Sequence, residues 1–133
     1  MIHPLEGNAR ERWVMTANIL LVEDDPDQAS LFTMVLTLAG YDTVTTADAT
    51  TGLARMADTT INLVLVDWDL PGMKGDAFIT LVQERYPGVK TVLFSNHGNV
   101  DEAGRACHAD AWMVKSDGIK CLQQLIAALL PPA

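Results

Sequence analysis

Two short acidic stretches, Glu23-Asp24-Asp25 and Asp67-Trp68-Asp69, each follow directly on an apolar run. The first run is Asn18-Ile19-Leu20-Leu21-Val22 and the second Ile61-Asn62-Leu63-Val64-Leu65-Val66, both patterned as buried parallel strands. An ionised carboxylate at the end of such a strand loses hydration unless something compensates it. For Asp67 alone a solvated turn is a sufficient account, because Leu70-Pro71-Gly72 follows. Two acidic strand ends point further. In an open parallel sheet, ligands bind outside the carboxyl ends of the strands where strand order reverses. Glu23, Asp24 and Asp67 therefore converge if the two strands are neighbours. Clustered carboxylates raise one another's pKa and call for a cation. Oxygen-only ligands select a hard ion, and so few protein carboxylates leave room for water and a phosphate oxygen, which favours Mg2+ over Ca2+.

The elements that must position these groups alternate between strand and helix patterns, the signature of βαβ units around a parallel sheet. Pro26 opens a helix with Leu31, Val35 and Leu38 at helical spacing, ending at Gly40. Tyr41 to Thr45 reads as a short strand, and Asp48 caps a helix carrying Leu53, Met56 and Ala57. Asp76 is placed to cap a further helix with Phe78, Leu81 and Val82 inward, stopped before Pro87-Gly88. Lys90 to Phe94 and Ala111 to Val114 read as the fourth and fifth strands. Between them, Val100 to Ala109 is the weakest helix, since Gly104 at its centre costs about 1 kcal/mol relative to Ala. A last helix presents Leu122, Leu125, Ile126 and Leu129 before Pro131-Pro132 stops it.

The 133 residues suffice for one core, with residues 1–17 as an extension and residues 18–131 as the domain. Met15 is a second candidate start. At 49% hydrophobic residues and a net charge of -8, the chain reads as globular and acidic, without the clustered Lys and Arg of a nucleic-acid surface. It carries no apolar run of membrane-spanning length and no charged-then-apolar leader. Cys107 and Cys121 have no metal-ligand spacing and read as free thiols in a reducing cytoplasm. His3, His97 and His108 read as exposed polar residues rather than ligands.

The two remaining strands run into Ser95 and, after Trp112-Met113-Val114, into Lys115. Taken singly, a hydroxyl after a strand is a loop or cap residue and a lone lysine is a surface charge. Four of five strands, however, deliver chemistry to one edge. At this point residues 18–130 closely resemble the receiver domain of two-component response regulators. The match is carried by Ile-Leu-Leu-Val-Glu-Asp-Asp at 19–25, Leu-Val-Leu-Val-Asp-Trp-Asp-Leu-Pro-Gly-Met at 63–73, Ser95 and Lys115.

That resemblance implies a doubly wound α/β fold, a five-stranded parallel sheet of flavodoxin-like order 2-1-3-4-5 with helices on both faces. It implies that Asp67 accepts a phosphoryl group from a histidine kinase or histidine phosphotransfer protein. Asp24 and Asp67 would ligate Mg2+ directly, the Asp69 backbone carbonyl would add a third oxygen, and Glu23 would act directly or through water. Lys115 would set a cation against the phosphoryl oxygens. Ser95 would donate to the new group and report it, with Trp112 as the switch aromatic. Output would be a change in protein association on the face made by the fourth helix, fifth strand and fifth helix, with oligomers possible. The domain would be a cytoplasmic signalling module and not an enzyme beyond its own phosphorylation and dephosphorylation.

Several residues depart from the family pattern. Ser116 follows Lys115 where proline is usual, Asn96 replaces a small residue after Ser95, and Asp69 adds a carboxylate beside the water path, so Asp69 and Asn96 are expected to tune phosphoryl lifetime. Two other readings stay open on sequence alone. One is a receiver-like interaction module that no longer uses phosphorylation. The other is a phosphatase, because Asp67-Trp68-Asp69 also resembles the Asp-x-Asp motif of haloacid-dehalogenase-type enzymes, although Pro71 and the early Glu23-Asp24 pair disagree with it. With no output domain after Pro131, the chain is a stand-alone receiver or a piece of a larger protein.

Overall fold

The structure, a computed structural model, describes residues 2–4 and 13–130, with side chains described over residues 16–130. The expected stop at Pro131-Pro132 and the side chain of His3 lie outside these residues. Ile2–Pro4 (β1) and Trp13–Met15 (β2) pair antiparallel as a separate two-stranded sheet. From there the chain alternates: Asn18–Val22 (β3), Pro26–Leu38 (α1), Asp42–Thr46 (β4), Ala49–Asp58 (α2), Leu63–Asp67 (β5) and Gly75–Arg85 (α3). It continues through Lys90–Ser95 (β6), Val100–Ala106 (α4), Ala111–Val114 (β7), a 3-10 turn at Lys115–Asp117, and Ile119–Leu129 (α5).

The two most apolar runs become the central strands. Ile19 to Val22 and Leu63 to Val66 are all 0% exposed, as expected of strands covered on both faces. The five strands are parallel in the order β4-β3-β5-β6-β7, which is 2-1-3-4-5 counted from β3. Helices cover both faces of this doubly wound sheet. Phe32 and Leu36 of α1 join Leu122 and Ile126 of α5 on one side. Met56, Phe78, Ile79, Val82, Val100 and Ala103, from α2, α3 and α4, fill the other. Strand order reverses between β3 and β5, so their carboxyl ends flank the crevice.

The structure corrects the sequence reading at several places. In α1 the buried face is Phe32, Val35 and Leu36, whereas Leu31 is 43% and Leu38 80% exposed. Apolar residues at 31, 32, 34, 35, 36 and 38 offer more than one stripe, and contact with the sheet rather than spacing selects among them. In α2, Ala49, Gly52 and Met56 are buried and Ala57 is exposed. Asp76 is not the cap of α3: Lys74 holds that position without a side-chain bond, and Asp76 sits in the first turn accepting the Ala77 N–H at 3.0 Å. A carboxylate there still complements the helix dipole. Ile79, not Leu81, is among the fully buried residues of α3. β4 begins at Asp42 rather than Tyr41, and β5 at Leu63 rather than Ile61.

Helix α4 stops at Ala106 rather than Ala109. Its end is set by backbone bonds from Ala109 N–H to the Gly104 carbonyl (3.0 Å) and from His108 N–H to that of Arg105 (3.2 Å). This closing turn needs a left-handed residue. His108 supplies it at φ 58, the one positive-φ non-glycine among the described residues. The expected cap at Asp48 is present, its carboxylate accepting the Thr51 N–H at 2.8 Å. Asp25 caps α1 in the same way, bonding the Asp27 and Gln28 amides with Pro26 at the first helical position.

Candidate functional site

Each functional side chain arrives at the same sheet edge because each lies at or just beyond the carboxyl end of a parallel strand. Glu23 and Asp24 follow β3, Asp67 ends β5, Ser95 ends β6, and Lys115 follows β7. One carboxylate oxygen from each of Glu23, Asp24 and Asp67 lies within 4.8 Å of the others. Glu23 and Asp67 are buried, at 2% and 5% exposure, while Asp24 is open to solvent.

Lys115 reaches into this cluster. Its Nζ donates to Glu23 Oε1 at 2.6 Å, to Asp67 Oδ2 at 3.1 Å and to the Gln28 side-chain oxygen. An ammonium has three N–H donors, and all three are matched. The Phe94 ring lies beneath it, 4.7 Å from Nζ to the centroid. Ser116 in place of proline therefore does not misdirect the lysine. The 3-10 turn over Lys115–Asp117 starts it, the Asp117 carboxylate accepts the Val114 N–H at 3.4 Å, and the side-chain partners aim it.

Burial dominates the electrostatics of Glu23. Loss of solvent pushes its carboxyl up from 4.5 to about 7; the hydrogen bond from Lys115 opposes this, and Asp67 adds to it. Asp67 is fixed from both oxygens, Oδ2 by Lys115 and Oδ1 by the Asp69 N–H at 3.0 Å. Its backbone is fixed as well. Gly75, at the start of α3, packs so closely that a Cβ there would stand 2.3 Å from the Asp67 carbonyl oxygen.

On the other side of the site, Ser95 is fully buried and its hydroxyl donates to Asp69 Oδ2 at 3.2 Å. The Asp69 carboxylate is also approached by His97 Nε2 at 3.3 Å and Lys74 Nζ at 3.9 Å. His97 and His108 are exposed, as read from sequence, but His97 touches the rim of the site. Asn96 is exposed. Trp112 lies on β7, half-buried against α4.

Gln28, Phe94 and Lys74, together with the bonds that Asp69 makes to Ser95 and His97, are the parts of the site that the sequence did not disclose. Gln28 falls four residues after Asp24 in the first turn of a helix following an acidic strand end, which is the one signal that could have found it. Nothing in spacing connects Lys74 or His97 to Asp69. Among the described residues no helix is long and apolar enough to cross a membrane.

Known proteins place this geometry in a family. The sequence model described as "Response regulator receiver domain" matches residues 19–126. The chain is 33% identical over 115 residues to the response regulator protein FleR of Pseudomonas aeruginosa, covering 85% of this chain and 24% of FleR. It is also 33% identical over 100 residues to the nitrogen assimilation regulatory protein NtrX of Azorhizobium caulinodans, covering 74% of this chain and 22% of that protein. The chain thus spans about a quarter of the length of these curated relatives. Among solved structures, it superposes on a CheY-like receiver domain protein from Methanospirillum hungatei with a TM-score of 0.81 at 26% identity, over 87% of this chain and 94% of that one. NtrX from Brucella abortus gives 0.80 at 30% identity, over 87% of this chain and 27% of that one. The family match, the sheet order and the convergence of Glu23, Asp24, Asp67, Ser95 and Lys115 agree: the chain belongs to the response regulator receiver domain family of two-component systems.

Proposed function

We propose that Asp67 accepts a phosphoryl group from a phosphohistidine on a histidine kinase or histidine phosphotransfer protein, and that the modified domain changes its protein partners. The observation that carries this reading is the placement of Lys115 Nζ 3.1 Å from Asp67 Oδ2, in an acidic cluster of which Glu23 and Asp67 are buried and Asp24 is open to solvent. A carboxylate nucleophile needs a neighbouring cation to accept a phosphoryl dianion beside it.

In the transfer, an Asp67 oxygen attacks phosphorus in line and the P–N bond of the donor breaks. The electron pair leaves with the donor imidazole, and Asp67 keeps an acyl phosphate. Lys115 holds the nucleophile in place beforehand and sets its charge against the phosphoryl oxygens afterwards. The donor set fits Mg2+, being oxygen-only with three carboxylates in reach of one ion. Asp24 and Asp67 would hold the ion directly, with the Asp69 backbone carbonyl, and Glu23 directly or through water. When bound, Mg2+ supplies positive charge that offsets the charge gathered on phosphorus and its oxygens.

Ser95 then trades acceptors. Its hydroxyl now bonds Asp69, and the phosphoryl group offers a second anionic acceptor at the same sheet edge. Competition between the two gives Asp69 its influence on phosphoryl lifetime, with Asn96 at the entrance. A phosphatase reading would require Asp69 as the general acid that protonates the departing oxygen of the ester. Its carboxylate is instead occupied by Ser95, His97 and Lys74. The downstream partner is assigned to the α4–β7–α5 face that carries Trp112.

Incubation with Mg2+ and acetyl phosphate, followed by intact mass, tests this reading. One phosphoryl group should appear on the wild type and none on Asp67→Ala. No gain on either protein would leave an interaction module that does not use phosphorylation. Continuous release of phosphate from an ester substrate would restore the phosphatase.

A further inference from the structure

Lys115 has no N–H left to offer a newcomer. Its Nζ donates to Glu23 Oε1 at 2.6 Å, to Asp67 Oδ2 at 3.1 Å and to the Gln28 side-chain oxygen, which together use the three donors of an ammonium. A phosphoryl group on Asp67 brings fresh anionic oxygens to the same Nζ, so one of the three bonds must give way. The partners are not equal. Glu23 is a carboxylate whose side chain is 0% exposed, and Asp67 is itself the residue that carries the phosphoryl group. Gln28 is a neutral amide, half-buried in the first turn of α1. An ammonium holds a charged oxygen more strongly than an amide oxygen. Stripping a buried carboxylate of its cation also costs more than handing a half-buried amide back to water.

The position of Gln28 is itself well determined. The Asp25 carboxylate that caps α1 accepts the Gln28 backbone N–H at 3.1 Å. One turn further, Phe32 packs edge-on against Phe94, with 5.1 Å between ring centroids, and the Phe94 ring lies 4.7 Å from Lys115 Nζ. Residues four apart share a helix face, so α1 meets the lysine twice, through the Gln28 amide and through the ring that Phe32 supports.

We propose that Gln28 is the partner Lys115 gives up: its amide oxygen holds the ammonium in the unmodified domain and yields that N–H to a phosphoryl oxygen on Asp67. Gln28 is thus a positioning residue that competes with the phosphoryl group for the lysine, and it sets how readily the domain is labelled. The holding half of this inference stands on geometry alone. The yielding half rests on the receiver reading.

Gln28→Met keeps the length of the side chain and removes its oxygen. Labelling by acetyl phosphate with Mg2+, followed by intact mass against time, should be roughly fivefold faster than in wild type, the worth of one hydrogen bond over water. Decay after the donor is removed should be unchanged, because the bond is already broken in the phosphorylated protein. A residue that merely supports the fold or keeps the lysine aimed predicts the reverse, slower labelling. That result, equal labelling, or a decay rate that changes in step with labelling overturns the proposal.

The Gln28 carboxamide followed by NMR reports the bond directly, its resonance being identified by its loss in Gln28→Met. In unmodified Lys115→Met it should move to a solvent-exposed position, and an unmoved resonance overturns the holding half. In wild type it should reach that same position once the phosphoryl group is on. A protein that gains its phosphoryl mass while the carboxamide stays fixed overturns the yielding half and leaves the receiver reading intact. A protein that never gains the mass removes the receiver reading and the yielding half with it, while the Lys115→Met comparison still decides whether Gln28 holds the lysine.

Discussion

Glu23 offers the sharpest test of how the site is built, because its burial translates into a stability that depends on pH in a defined window. Its carboxyl stands at about 7 in the folded chain against an ordinary 4.5, chiefly through loss of solvent. The folded state therefore binds the extra proton between those values. Stability must fall as pH rises through the window, the opposite of the usual salt-bridged carboxylate. The interval from 4.5 to about 7 corresponds to about 3 kcal/mol at 1.36 kcal/mol per pH unit. Glu23→Gln keeps the shape and an oxygen for Lys115 but stays neutral. In metal-free urea titrations, the variant and wild type should be nearly equal in stability below pH 4.5. The variant should be about 2 kcal/mol more stable near pH 6 and about 3 kcal/mol more stable above pH 7. Mg2+ binds the ionised site, so at ten times its dissociation constant it returns about 1.4 kcal/mol to the wild type. The gain should be smaller in the variant. A difference curve that is flat across the window, or that rises in favour of wild type without metal, would refute the reasoning.

Lys115→Met leaves the buried carboxylates of Glu23 and Asp67 without their cation, and should cost about 3 kcal/mol at neutral pH in the absence of metal. Thermal unfolding with and without Mg2+ checks it, and a loss that the ion does not reduce would count against the shared-charge account. Gly75→Ala forces a Cβ against backbone that has no room to yield, so about 3 kcal/mol of destabilisation is expected, with slower labelling of Asp67. A neutral effect in chemical denaturation would show that α3 can slide away from β5. Asp69→Ala frees the Ser95 hydroxyl for the phosphoryl group and should lengthen the acyl phosphate lifetime severalfold, followed as loss of the phosphorylated mass over time. Equal or faster decay would remove Asp69 from the control of lifetime.

The fold and the chemical residues were readable for a shared physical reason. β3 and β5 are the two strands covered on both faces, so their sequences are apolar without interruption, and an acid at their ends stands out against that background. Parallel topology then brings every carboxyl end to one edge, which turns linear order into proximity. The parts that were not readable depend on how elements cross. α1 has apolar residues at 31, 32, 34, 35, 36 and 38, and several stripes of that helix could face a core. Only contact with the sheet selects Phe32 and Leu36 and leaves Leu31, Met34 and Leu38 exposed. Gly104 looks like a defect along the chain, and only the crossing of α4 and β7 brings the Trp112 ring to 2.6 Å from where its Cβ would stand. Lys115 without a following proline gave no clue to its direction, because Gln28 and Phe94 aim it from other elements. Asp69 was legible as an extra carboxylate, whereas its bond to Ser95 depends on the gap between the ends of β5 and β6.

The central claim is that one carboxylate among several at this edge becomes the acyl phosphate. Borohydride reduction of the phosphorylated protein converts an aspartyl phosphate to homoserine, and peptide mass mapping locates it. The account predicts a single converted residue at Asp67, formed only with Mg2+ present. Conversion at Asp24 or Asp69 instead, or none in a protein that is folded and has bound Mg2+, would contradict it.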